Sequence, residues 1–559
     1  MKSKLFAWVL ILLLVESLLA QDDIANFQRK GTNVKYDIDD WITYSMTRWV
    51  TSVSEGRNYI YFGTTGGIMR YDMYSNNWDR CWTVSDGLPD NFVITVAYDF
   101  NTDYLWCSTS FGVSVFRSVW KRWENYFKDE LGIVPGDDIV SIGFDEQNVW
   151  LQSRDGEIFR SQNQQGTFFR ETGSSINFDA IHWSNENVYN EKKALDLYMT
   201  GNNFFDSKGF IRDTNLDEYK VTSYLHDHWN NIWIGTWGLG AAQADSRIKT
   251  LELIPYGLFI KNVAAFDFDE EGKLWAGGSG AYNGQSGITR WDLYNNDVRY
   301  FQARFENTMY SDQATAMATD GEYVWIGTEN GLLRYNRERD EWKTFDTGSG
   351  LRDNWVLDVE VDSNLVWIGT SLGLNLLEKD RMYVKDYRIK DFASRDILNM
   401  PVYDVEVMEN LLWVGTDYGI YVYDKKEKRG GFENDTNGPQ NNRITAIGVL
   451  DTREVWAGME DGVAVFDVQK KVWLGAPERR FRSSDRVNFI VVDDSAAWVG
   501  TNDGVLKFDK RRNRWRRFTI EDGLPDNIIN YILLDGDYIW FGTPEGLTRF
   551  YWNSSYRID

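Results

Sequence analysis

Cysteine, histidine and proline are scarce in this 559-residue sequence, which carries 2 Cys, 3 His and 8 Pro. So few cysteines exclude a disulfide-stapled scaffold. So few prolines, beside 16 % aromatic residues and 26 Trp, exclude a disordered chain and point to a globular, sheet-rich one. Positive charge is also short. A formal charge of −24 argues against nucleic acid, whose phosphates need clustered cations. One local exception runs Lys507, Lys510, Arg511, Arg512, Arg514, Arg516 and Arg517. It reads as a solvated hairpin or, more sharply, as a docking patch for an acidic partner or glycan. Reactive motifs are missing as well: there is no Gly-x-Ser-x-Gly elbow, no phosphate loop and no Ser-x-Asp-x-Gly-x-x-Trp box.

Long apolar runs occur only at the start. Lys2 and Lys4 precede an apolar stretch from Leu5 to Val15, and the small Ala20 is followed by polar Gln21. Residues 1–20 therefore read as a signal peptide, too short for a bilayer anchor. The mature chain is expected in the periplasm or outside the cell, with no membrane span. Cys81 and Cys107 could pair there, but they fall on non-equivalent strands of neighbouring repeats, which argues against a disulfide.

What the sequence has in abundance is self-similarity. Trp325-Ile326-Gly327-Thr328-Glu329-Asn330-Gly331-Leu332 returns as Trp367-Ile368-Gly369-Thr370-Ser371-Leu372-Gly373-Leu374. Further copies begin at Trp413, Trp456, Trp498 and Trp540, and earlier ones at Tyr61, Trp106, Trp150, Trp233 and Trp275. Spacing is mostly 42 to 46 residues, a propeller-blade period. The gap of 83 from Trp150 to Trp233 leaves room for a degenerate blade anchored at Tyr198. The expected fold is all-β, a propeller of about twelve four-stranded blades.

Each anchor Trp supplies an apolar face for packing one blade on the next. The Gly two residues later should make room for a neighbouring aromatic, and the second Gly should supply the positive φ of a tight hairpin. Trp41-Ile42-Thr43-Tyr44 resembles outer-strand segments such as Trp342-Lys343-Thr344-Phe345, and the last blade lacks an outer strand of its own. Residues 40–45 are therefore expected to pair with that blade. Irregular stretches near 160–220 and 425–442 divide the blades into three, six and three. Two six-bladed rings follow: 38–165 plus 440–559, and 166–430. One large ring is the alternative.

The unit W-I-G-T-x-x-G-L, joined by Asp86-Gly87-Leu88-Pro89-Asp90-Asn91 and Asp522-Gly523-Leu524-Pro525-Asp526-Asn527, resembles the two-component regulator propeller repeat. The resemblance covers nearly all of the mature chain. It implies a periplasmic sensor-type propeller of the kind that recognises oligosaccharides, or an accessory protein of Bacteroidetes-type secretion. The sequence departs from a full sensor, since only eight residues follow Tyr551 and neither a kinase nor a membrane span is expected. The repeat carries no catalytic residues to transfer.

Candidate chemistry is thin. His226 and His228 could share a strand face, but the segment aligns with the turn at Phe268-Asp269-Glu270 and no third metal ligand can be named. Asp145, Asp269, Asp362, Asp451 and Asp535 recur at hairpin turns, where Asp caps local backbone. No catalytic residue, metal or cofactor is expected. Binding should sit where loops depart from the repeat, at Phe111, Trp237, Trp355 and Tyr418, and at Tyr282 and Asn283 in an extension of blade 6. The sequence thus predicts a non-enzymatic propeller binding a glycan or a protein through one loop face. An envelope or secretion scaffold is the alternative, and a polysaccharide hydrolase or lyase the least supported.

Overall fold

The computed structural model describes residues 36–554 apart from 38, 163–165, 172–175, 185–198, 201–202, 206–208, 214, 246, 281–284, 380–382, 387–398, 434–442 and 475–484. The signal-peptide segment, Tyr198, Tyr282 and Asn283 lie outside the described residues. Antiparallel sheets recur along the chain, as the period-two pattern requires. Blades 1 to 3 span 50–82, 93–127 and 139–171, and blade 5 spans 218–254. Blades 6 to 12 span 265–301, 314–345, 356–386, 402–432, 446–473, 487–518 and 531–551.

The degenerate fourth blade expected around Tyr198 does not form a sheet of its own among the described residues. Its described strands, Met199–Thr200, Asn203–Phe205 and Phe210–Arg212, pair in series onto the first strand of blade 5. A single parallel pairing of Met199 with Thr250 then closes that sheet on itself.

Repeat chemistry explains the packing. The anchors Trp106, Trp233, Trp275, Trp325, Trp367, Trp413, Trp456 and Trp498 are all essentially inaccessible to solvent. In several blades the turn aspartate does two jobs. Asp320 Oδ1 accepts the backbone N–H of Glu322 and Tyr323 at 3.0 and 2.8 Å, while Oδ2 accepts the Trp325 indole N–H at 2.9 Å. Asp145, Asp227 and Asp269 hold Trp150, Trp233 and Trp275 in the same way. One carboxylate thus satisfies a turn and a buried indole together.

The anchor glycine corrects an expectation. A Cβ on Gly327 would lie 2.7 Å from Val356 Cγ1, and one on Gly369 would lie 2.9 Å from Val402 Cγ1. The space is kept for the branched aliphatic residue that opens the next blade's first strand, not for an aromatic ring. The hairpin glycine does adopt positive φ, 116° at Gly331 and 134° at Gly373.

Trp41–Tyr44 pairs antiparallel with Gly546–Tyr551 and completes blade 12, as expected. Trp41 is 3 % exposed and stacks on Phe550 with ring centroids 3.9 Å apart.

Packing between blades does not follow the expected ring boundaries. First strands pack in succession from blade 6 through blade 12, and blade 12 returns to blade 6. There Val263 N donates to Thr543 O at 2.9 Å, and Gly542 faces Val263. The other neighbours are blades 5, 1, 2 and 3, with Thr222 Oγ1 donating to Val50 O at 2.7 Å between blades 5 and 1. The division therefore falls near 255–264, not at 165 and 440. Two segments cross it side by side, 45–49 and 255–264, and neither carries the repeat that organised the sequence reading. Leu258 N donates to Ser45 O at 2.9 Å and Thr47 Oγ1 to Tyr256 O at 2.7 Å. A continuous core joins Phe62 and Trp78 of blade 1, Trp233 of blade 5, Tyr256 and Leu258, Trp291 of blade 6 and Trp540 of blade 12.

Candidate functional site

Sheet connectivity gives each blade two turn edges. The Thr-x-x-Gly hairpins and the Asp-Gly-Leu-Pro connections occupy one edge. Gly331 N donates to Asn354 O at 2.7 Å, tying a hairpin of blade 7 to the connection entering blade 8. The hairpin threonine is part of the turn: Thr328 Oγ1 donates to Gly331 O at 2.7 Å and accepts the Asn330 N–H at 3.1 Å.

On this face Phe111, Trp355 and Tyr418 stand about half exposed, beside the exposed Phe92 and Leu372. Trp355 and Leu372 belong to one blade, where Ser371 N donates to Trp355 O, and Tyr418 belongs to the next. Trp237 is different. It meets Trp49 edge to face at 5.1 Å and packs at the crossing segment 45–49.

A concavity lies at the opposite edge, where the first and second strands of each blade turn. It is a funnel of about 1000 Å³ among blades 1, 2 and 3, reached also by Leu225 of blade 5. Sequence reasoning missed it because it depends on a departure with no motif: His182–Trp183 adds a fifth strand to blade 3, with Gly143 opposite Trp183. A Cβ on Gly143 would sit 2.8 Å from Trp183 Cε3, so only glycine admits this ring. Ser184 fixes the segment further, accepting Ile142 N and meeting Thr95 Oγ1, both at 3.2 Å.

The funnel presents Phe100, Phe144 and Trp183 as apolar surfaces. Phe100 is 52 % exposed and rests edge-on against Tyr98 at 5.1 Å. Burial first, then neighbouring Asp103, pushes the Tyr98 hydroxyl up to about 12, so it remains a neutral donor. Around the rings stand Asn101, Glu146, Gln147, Asn148 and His182, and among the described residues no Lys or Arg lines the cavity.

Its other carboxylates are committed to structure. Asp99 caps its turn through Asn101 N and Thr102. Burial pushes the Asp145 carboxyl up, but hydrogen bonds from Asn148, Gln147 and Trp150 outweigh it and hold the group below its ordinary range. Glu55 accepts the backbone N–H of His228 at 3.0 Å and pairs with its imidazole.

That pairing disposes of the His226/His228 metal reading. His226 Nε2 is within 2.7 Å of Tyr224 Oη, and Asp227 between them serves the turn and Trp233. Among the described residues no group of His, Cys, Asp or Glu has metal-binding geometry. The basic run is likewise mostly neutralised in place. Arg517 pairs with Asp485 and Asp503, Lys510 with Glu454, Arg516 with Asp522, and Lys507 is buried over Trp498. Arg511 and Arg514 are exposed, which leaves no clustered docking patch.

A second unusual feature is a group of carboxylates on first strands of the larger circuit. Asp358 and Glu360 of blade 8 and Asp404 and Glu406 of blade 9 are all pushed up, chiefly by burial, and the charge of Asp358 raises the other three further. Asp358 and Asp404 serve as links between blades, accepting Val405 N and Ile447 N. Burial first, then the charges of Asp267, Asp358, Glu406 and Glu360, pushes the Tyr531 hydroxyl of blade 12 well above its ordinary value.

Tandem antiparallel sheets, buried anchor tryptophans and turn-edge cavities define an all-β, propeller-like fold. No family model matches the chain, and no curated protein does. Among solved structures it is similar to PorZ, described as an essential bacterial surface component of the type-IX secretion system of Porphyromonas gingivalis. The TM-score is 0.59 at 14 % identity, over 92 % of this chain and 87 % of that one. It is also similar to the extracellular domain of a putative hybrid two-component system from B. thetaiotaomicron, with a TM-score of 0.45 at 14 % identity over 91 % and 70 % of the chains. These likenesses concern the fold. Among the described residues no helix is long and apolar enough to cross a membrane.

Proposed function

We propose that this chain is an exported, non-enzymatic binding protein that holds a glycan or a segment of a protein in the funnel of blades 1 to 3. Architecturally, blades 6 to 12 make a seven-bladed ring closed by Trp41–Tyr44, and the earlier blades make a smaller ring that carries the funnel.

The observation that carries the reading is the lining. Phe100, Phe144 and Trp183 stand beside Asn101, Glu146, Gln147 and Asn148, and no cation lines the funnel among the described residues. Flat rings receive the apolar faces of a sugar or side chain, while amides and carboxylate receive its hydroxyls or N–H groups. Tethering by Ser184 and Gly143 keeps Trp183 in place before binding and lowers the ordering cost. Asp99, Asp145 and Glu55 are engaged in turns and in the His228 pair, which supports binding rather than acid–base chemistry.

The test is a glycan and peptide array with the purified protein, followed by calorimetry on Trp183→Ala and Phe100→Ala. Each variant should weaken binding about tenfold or more. An array without hits, or hits indifferent to both variants, defeats the reading.

A second reading rests on the opposite face, where Phe92, Phe111, Trp355, Leu372 and Tyr418 are exposed. Such a surface suits an envelope scaffold, and the secretion-system protein with a similar fold is described as a bacterial surface component. Loss of a cross-linked partner in a Trp355→Ala/Tyr418→Ala double variant would support it. Retention of that partner would refute it.

A further inference from the structure

Blade 1 is anchored by Tyr61, where the other blades with a sheet of their own carry Trp. The consequence is visible against the blade 6–7 boundary. There Trp275 stacks on Phe301 at 5.6 Å, touches Tyr335 at 5.0 Å and donates its indole N–H to Asp269 at 3.0 Å. The corresponding residues between blades 1 and 2 are Tyr61, Trp82 and Phe116, with Trp123 in the place of Trp342. The smaller ring leaves a cleft of about 590 Å³ between the two sheets.

Its walls combine aromatic faces with unused donors. Trp82 lies 4.3 Å from Phe116 and 5.5 Å from Trp123, centroid to centroid. Tyr61 is 7 % exposed and Trp82 9 %, and neither the Tyr61 hydroxyl nor the Trp82 indole N–H makes a hydrogen bond among the described residues. The Trp123 indole N–H is buried and also unpartnered.

The charge of the cleft is opposite to that of the chain. Arg57, Arg70, Arg80 and Lys121 line it, against Asp86 and Asp103. Arg70 lies over the Trp82 ring at 4.1 Å, held there by two bonds to Arg80 O. Arg57 pairs with Asp103, Arg70 with Asp79 and Arg80 with Asp39 and Asp86, whereas Lys121, exposed at the mouth, has no ion-pair partner among the described residues.

We infer that the cleft between blades 1 and 2 is a binding site for a small, flat organic anion. Its ring lies against Tyr61, Trp82 and Phe116, and its anionic group reaches Lys121 and the neighbouring guanidinium groups. Free donors of Tyr61 and Trp82 bond to acceptor atoms on the ring. This site is separate from the funnel and stands whether or not the funnel binds a glycan.

The test uses the full chain and calorimetry with 4-hydroxycinnamate, indole-3-acetate and benzoate, each beside its neutral amide. Saturable binding of at least one acid is expected, with the matching amide at least tenfold weaker. Tyr61→Trp restores the repeat's own residue and fills the cleft, so it should fold as well as the parent and lose binding at least tenfold. Lys121→Glu, a change at an exposed position, gives an independent reading and should weaken the acid at least fivefold. Trp183→Ala in the funnel should leave the affinity unchanged. Absence of binding by all three acids, amides that bind as well as acids, or undiminished affinity in Tyr61→Trp or in Lys121→Glu would each overturn the inference.

Discussion

Glu360 and its neighbours should make this protein less stable as the medium becomes more alkaline. Burial and the nearby Asp358 and Asp362 raise Glu360 from 4.5 to about 8, and burial raises Asp358 from 3.8 to about 6. Asp404 and Glu406 lie well above their ordinary values for the same reason. A carboxyl whose folded pKa is raised binds a proton on folding. Its unfavourable contribution is absent below the unfolded value and complete above the folded one, so stability falls as pH rises from about 5 to about 8.

For Glu360 alone the shift corresponds to about 5 kcal/mol at 1.36 kcal/mol per tenfold change in proton concentration. The effective dielectric of a protein interior exceeds the dry-protein value and reduces this, so about 2 kcal/mol is the expected observable. Urea unfolding followed by tryptophan fluorescence at about pH 5 and about pH 8 measures it. Glu360→Gln should match the parent at the lower pH and exceed it by about 2 kcal/mol at the higher. An unchanged pH slope in the variant, or a loss of stability near pH 8, would refute the reasoning.

Three further outcomes can be checked directly. Trp41→Ala removes a ring stacked on Phe550 in the strand that completes blade 12, and should cost about 3–5 kcal/mol in unfolding free energy. Asp227→Ala breaks two turn bonds and strands the Trp233 indole, for an expected loss of about 2–3 kcal/mol by the same assay. Burial pushes the Cys81 and Cys107 thiols up and both are free, so native protein should resist iodoacetamide and run identically on reducing and non-reducing gels.

Much of the fold was legible because the repeat records packing. Trp367, Gly369 and Gly373 recur since every blade must bury an anchor, clear a neighbour's side chain and turn a hairpin. The closing strand was legible for the same reason, as Trp41-Ile42-Thr43-Tyr44 copies an outer strand. Which blades become neighbours was not. That depends on where two short crossings meet, and Ser45–Leu258 and Thr47–Tyr256 are backbone and hydroxyl contacts that no periodicity encodes. The aspartate's second task, holding an indole, was hidden because a turn cap alone already explained the residue.

The exposed loop aromatics illustrate the limit for site residues. Phe111, Trp355 and Tyr418 were legible as departures in hairpins and connections, and each stands about half exposed. Trp237 has the same sequence signature yet packs on Trp49, since a ring beside a crossing segment has somewhere to go. Sequence separates the exposed ring from the packed one only when the neighbour is also a repeat.

Repetition itself suggests where recognition evolves in such a chain. A position shared by all blades is constrained by the next blade and cannot also adapt to a ligand without loosening the ring. A position that breaks the pattern once is free of that constraint. Trp183 does so by adding a strand against Gly143, and Tyr61 does so by shrinking an anchor. Each local exception opens a cavity while the sheets on either side keep their hydrogen-bonded registers, from Gly143–Trp150 in blade 3 to Tyr61–Arg70 in blade 1. Rigid walls with a single altered residue present preformed surfaces, which is the property a binding protein needs and a uniformly packed propeller lacks.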